Sequence, residues 1–154
     1  MQRRSRDRHV RTWEFMIRNE KKIREAVAEA RASKGGRSGG AASGHCFIPD
    51  PTAKEAIRHV DEIPCVELDG GGLVEWPERW LRVIDAVRSW CESNFLRREI
   101  LRRRYAGESW VTTCAEITAS HGKHLTESRY RRVLAGICNF AVRCAAQMQV
   151  VKIF

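Results

Sequence analysis

The sequence predicts a mainly α-helical protein: an N-terminal helical arm, a glycine-rich linker, and a small helical domain ending in a helix-turn-helix. Three observations predict it. Residues from about 4 to 32 contain neither proline nor glycine and repeat apolar side chains at helical spacing. Lys34-Gly35-Gly36-Arg37-Ser38-Gly39-Gly40 then ends that pattern with a flexible stretch. The last third, Phe95 to Phe154, holds three amphipathic segments in succession, split by Gly107 and by His121-Gly122-Lys123. These divisions give an arm over residues 1–33, a linker over 34–50 and a helical domain over 51–154, with the helix-turn-helix at about 94–147.

In the arm, Val10, Trp13, Met16, Ile17, Ile23, Val27 and Ala30 form one stripe, leaving arginine and lysine on the other faces. Such a helix must dock on its own domain or on a second copy. After the linker, Asp50-Pro51-Thr52-Ala53-Lys54-Glu55 restarts a helix. Asp50 can cap ahead of Pro51, or Thr52 and Glu55 can form a capping box. Pro64 stops this helix. Cys65 to Trp76, centred on Asp69-Gly70-Gly71-Gly72, reads as a loop able to close into a small hairpin.

Pro77 opens the next helix, to about Glu92, with Trp80, Leu81, Ile84, Val87 and Trp90 or Cys91 on its apolar face. A further helix, Asn94 to Tyr105, offers Phe95 or Leu96, Ile100, Leu101 and Tyr105. Trp110 to Ser120 follows, with Trp110, Val111, Cys114, Ala115 and Ile117 expected inward. The last helix, Thr126 to about Met148, places Tyr130, Val133, Leu134, Ile137, Phe140 and Ala141 on its core face. Thr126 is positioned to cap it.

Charge is unevenly placed. Residues 1–40 carry a net +7, residues 41–94 a net −5 and residues 95–154 a net +7, within a total of +9. Arginine supplies 22 of the 28 cations, and its planar fork suits phosphate or guanine. Basic ends around an acidic middle favour double-stranded DNA as the partner. An anionic membrane surface or an acidic protein is the alternative. No segment approaches the ~18 apolar residues of a membrane span. The charged N-terminus lacks the apolar core of a signal peptide, so a cytoplasmic location without membrane is expected. Cys46, Cys65, Cys91, Cys114, Cys138 and Cys144 form no CxxC pair, and Cys91, Cys114 and Cys138 fall on apolar helix positions.

The candidate site is the start of the last helix. With Tyr130, Val133, Leu134 and Ile137 facing the core, Ser128, Arg129, Arg131 and Arg132 face outward. Arginine there can fork onto guanine or clamp phosphate, and Ser128 permits close approach. Lys123, in the turn ahead, joins this set. Arg97, Arg98, Arg102, Arg103 and Arg104 crowd the helix before Tyr105, where like charges at i, i+4 call for compensation. A phosphate backbone held by Arg102, Arg103 and Arg104 would supply it, as would pairing with Glu92 or Asp85. No P-loop, GxGxxG or HExxH is present, and the histidines at 121 and 124 have no ligand partner at metal spacing. No catalytic residue, metal or cofactor is expected.

Gly35-Gly36-Arg37-Ser38 followed by Asp50-Pro51-Thr52-Ala53 resembles the glycine-rich element and helix start of phage late-gene transcription activators of the RinA and ArpU type. Tyr105-Ala106-Gly107-Glu108-Ser109-Trp110, Ala115-Glu116-Ile117 and Ser128-Arg129-Tyr130-Arg131-Arg132 are similar to a sigma-factor region-four helix-turn-helix. The turn Ser120 to Leu125 reads longer than the sigma-type turn. The resemblance spans about two-thirds of the chain. It implies a small helical regulator that binds promoter DNA and contacts host RNA polymerase. The expected function is therefore sequence-specific regulation of phage or prophage transcription, with homo-oligomerisation through the N-terminal helix. The rivals are a small terminase subunit recognising packaging-site DNA and an RNA-polymerase-binding adaptor that reads no bases.

Overall fold

The computed structural model describes the backbone of residues 2–36 and 61–151, and side chains over 7–33 and 61–151. The elements are α1 (Gln2–Arg18), α2 (Glu20–Gly36), β1 (Cys65–Leu68), β2 (Gly72–Glu75), α3 (Pro77–Glu92), α4 (Phe95–Tyr105), α5 (Trp110–His121) and α6 (Glu127–Gln147). The protein is mainly α, as its sequence predicts. No described helix is long and apolar enough to cross a membrane. The helix expected from Asp50 lies outside the described residues.

The N-terminal segment is two helices rather than one. Asn19 interrupts it, its backbone N–H and its Nδ2 both donating to the Phe15 carbonyl at 3.1 and 2.9 Å. An asparagine side chain that shares a backbone acceptor competes with the helical ladder at that point. Glu20 then opens α2 in the first turn, where a carboxylate suits the helix dipole. α2 runs on to Gly36, into the glycine-rich stretch expected to be linker.

The chain divides into two compact units, one of residues 20–78 and one of residues 1–19 with 79–154. The division therefore falls at Asn19, not at residue 33 as expected of a separable arm. In the first unit α2 packs on β1. The hairpin forms: β1 and β2 are antiparallel, pairing Val66 with Val74 and Leu68 with Gly72. Val66, Leu68 and Val74 point to the buried face, giving the alternation of a half-covered sheet. Gly70 and Gly71, at φ 101° and 89°, take the turn conformation that a Cβ disfavours. Glu78 locks this unit, accepting from Arg31 Nε at 2.9 Å and from the Ile63 N–H at 3.0 Å.

In the second unit α1 docks on α6, and Trp13 meets Tyr105 edge-on with ring centroids 6.3 Å apart. Trp13, Met16 and Ile17 are buried there together with Ile84, Val87, Ile100, Ile117 and Ile137. α3 joins through Trp90, which stacks on Phe140 of α6 at 4.3 Å. Arg97 lies over the other side of the Trp90 ring at 3.8 Å, a cation–π contact. α4 touches both α5 and α6, so the last three helices form one mutually packed group.

Cys91, Cys114, Cys138 and Cys144 are buried free thiols, whereas Cys65 is exposed. Burial pushes the Cys91 and Cys138 thiols up to about 11. Because the thiolate is the nucleophile, an alkylating reagent at about pH 8 should label Cys65 quickly, and Cys91 and Cys138 only after denaturant is added. Mass mapping of the labelled peptides checks this, and equal labelling of Cys138 in the folded state would contradict it.

Candidate nucleic-acid interface

α5 and α6 are joined by a turn of five residues, 122–126, longer than a tight turn as expected and closed by hydrogen bonds. Ser109 caps α5, its Oγ accepting from the Thr112 N–H at 3.1 Å. At the far end Gly122 adopts φ 63°, and its N–H donates to the Thr118 carbonyl at 2.9 Å. Thr118 Oγ1 donates to the Cys114 carbonyl at 2.7 Å and accepts from the Leu125 N–H at 3.1 Å, which ties the turn back onto α5. Leu125 is buried as the hydrophobic stop, and Thr126 caps α6 by accepting from the Arg129 N–H at 3.3 Å. A Cβ at Gly122 would meet nothing within 4 Å, so its conformation is the whole constraint. Gly122→Ala should cost about 1–2 kcal/mol in thermal or denaturant unfolding. An unchanged midpoint would count against this turn geometry.

α5 turns Cys114 and Ile117 inward as expected, but not Trp110, Val111 and Ala115. Thr113, Cys114 and Ile117 are buried, while Trp110, Val111 and Ala115 are exposed. Trp110 remains 39% exposed and Val111 56% exposed.

α6 keeps its expected register at the start. Tyr130 is buried, and Ser128, Arg129, Arg131 and Arg132 are exposed around it. Arg131 is paired with Glu127 one turn back. Arg129 and Arg132 have no ion-pair partner among the described residues. Lys123 and Arg129 also line a shallow cup with Phe95, Leu96, Ile117, His121, His124 and Leu125. The His121 ring covers that of Phe95 at 4.0 Å. This cup was not foreseen, since its residues come from three helices and a turn.

The arginines of α4 are arranged differently from the phosphate clamp expected of them. Arg103 reaches three carboxylates: Glu99 at 3.4 Å, Glu108 at 2.9 Å and Glu116 at 3.6 Å. Its side chain is only 13% exposed. Arg104 pairs with Glu14 of α1 at 3.5 Å. Arg102 bonds Glu99 at 2.8 Å, yet remains 61% exposed. Hydrogen bonding from Arg102, with Arg103 beside it, holds the Glu99 carboxyl below the ordinary carboxylate range. The like-charge crowding on α4 is thus relieved by carboxylates on α1, α3, α4 and α5 and by Glu108 in the turn after α4. Of the acids expected to do so, Glu92 takes part, pairing with Arg98 at 3.6 Å. Arg103→Ala should lower the unfolding midpoint while leaving the salt dependence of any duplex binding unchanged. A drop of about one in the salt slope would restore Arg103 as a phosphate contact.

Among the described residues, no group of three or more His, Cys, Asp or Glu is placed to hold a metal ion. Compared with protein-family models, curated proteins and solved structures, the chain matches none.

Proposed function

We propose that the protein is a sequence-specific DNA-binding regulator of phage or prophage transcription, acting in the cytoplasm and reading duplex DNA with α6. The observation that carries this reading is the opening of α6. A capped first turn presents Ser128, Arg129 and Arg132 to solvent without carboxylate partners, while Tyr130 anchors the same turn in the core. A projecting helix held by a short preceding helix is what entry into the major groove requires, with N-terminal side chains reaching base edges. Arg131 and Arg102 are exposed enough to exchange a carboxylate for a phosphate, and Lys123 lies just ahead of the helix. Arg103 and Arg104 are left out of this set, because their charge is already used. Affinity for duplex should fall steeply between roughly 50 and 200 mM salt as counterions are released. A slope below about two ions would instead indicate a protein partner.

One observation favours a second reading. Trp110 and Val111 are exposed side by side at the start of α5, as an adaptor docking on RNA polymerase would need. Trp110→Ala should then abolish polymerase retention while sparing duplex binding, and loss of duplex binding alone would refute it.

A further inference from the structure

α1 shows solvent a face that its expected role as an assembly arm did not include. Its apolar residues Trp13, Met16 and Ile17 are 0%, 7% and 6% exposed, so they are used up by the core. The outward side bears Arg8, Arg11, Phe15 and Arg18, at i, i+3, i+7 and i+10, all of them exposed. Glu14, one turn from both Arg11 and Arg18, is the intrahelical partner these arginines would ordinarily use. It points instead to Arg104. Asp7, four residues before Arg11, forms no ion pair with it, and none of the three arginines has a carboxylate partner among the described residues. Like charges repeated along one helix face oppose its formation, and an anionic partner reverses the sign of that effect.

We propose that α1 carries a second phosphate-contact face for DNA, formed by Arg8, Arg11 and Arg18 around Phe15. The proposal rests on the DNA reading and adds to it a phosphate-contact face on a second helix. The stripe spans about 15 Å of helix axis, over which duplex DNA presents a phosphate charge every ~1.7 Å. Arginine forks on that line can each engage one phosphate without reading sequence. A membrane surface is the weaker match. A helix lying on lipid inserts its apolar face, and on α1 that face is already buried in the protein, with only Phe15 left outside.

The test uses the full chain and a 30-base-pair scrambled duplex. Changing Arg8, Arg11 and Arg18 together to Gln should lower the slope of log affinity against log salt by about 2.7, at 0.9 per phosphate. The same three changed to Lys should keep the slope, and the ratio of cognate to scrambled affinity should hold in both variants. An unchanged slope in the Gln variant overturns the proposal. Should that variant fail to fold, phenylglyoxal modification of the unaltered protein decides. Duplex should slow modification at Arg8, Arg11 and Arg18, and equal rates with and without duplex overturn the proposal. Sedimentation with vesicles of 30% phosphatidylglycerol, lost in the Gln variant while the duplex slope is kept, would assign the stripe to membrane and likewise overturn it. If the unaltered protein binds no duplex in a salt-dependent way, the DNA reading itself has failed.

Discussion

Replacing Trp13 with alanine is expected to destabilise the protein by about 3–5 kcal/mol, the cost of emptying a fully buried aromatic site. Trp13 has no exposed surface and meets Tyr105 edge-on, so its loss removes both burial and a ring–ring contact between α1 and α4. Set against a total stability of roughly 5–15 kcal/mol, this is enough to populate unfolded chains near physiological temperature. Denaturant unfolding measures it. Phe15→Ala, two residues away at a site 43% exposed, is the control, with a change within about 0.5 kcal/mol. Deleting residues 1–19 should have the same consequence as Trp13→Ala, with loss of cooperative unfolding. A separable arm would leave the midpoint of the truncated chain where it was.

The second large effect concerns recognition. Arg129→Ala or Arg132→Ala should each cost about 1–3 kcal/mol on the cognate site and much less on random duplex, because a guanidinium forked onto a base edge discriminates where one on a phosphate does not. The two side chains stand in the first turns of α6, exposed and without carboxylate partners among the described residues. Neither holds the fold together, so unfolding midpoints should stay within about 0.5 kcal/mol of the parent. Competition between cognate and scrambled duplexes gives the ratio directly. A ratio that survives both substitutions removes α6 from recognition.

How much of this was legible in the sequence follows from the range over which each feature is determined. α6 was readable because Thr126, Tyr130 and Ile137 set its cap and its core face within the helix itself. α3 was readable for the same reason, with Pro77 at its start and an apolar repeat through Val87, although fully buried Val83 was missed. α5 was legible at Cys114 and Ile117 but not at Trp110, Val111 and Thr113. Hydrophobicity alone ranks Trp110 and Val111 above Thr113, whereas the helix turns Thr113 inward. The stripe on α1 announced that something covers it, but not that the cover is α6 and Tyr105. The Glu14–Arg104 pair joins residues 90 apart in sequence, so no local pattern could have shown it. The run of arginines on α4 reads in the sequence either as a phosphate clamp or as a set paired with carboxylates, and that pair with the three carboxylates around Arg103 gives the second arrangement for Arg103 and Arg104. The outward placement of Ser128, Arg129, Arg131 and Arg132 was legible because Tyr130 and Ile137 set the inner side of α6 within the helix itself.

The central claim, that α6 reads bases, is tested most directly by selection of duplexes from a random pool with the full chain at moderate salt. Convergence on one short sequence is expected, and loss of that convergence, with general DNA affinity retained, when Arg129 and Arg132 are both changed to Ala. A pool that stays random through repeated rounds, or one that converges identically with the doubly substituted protein, would contradict it.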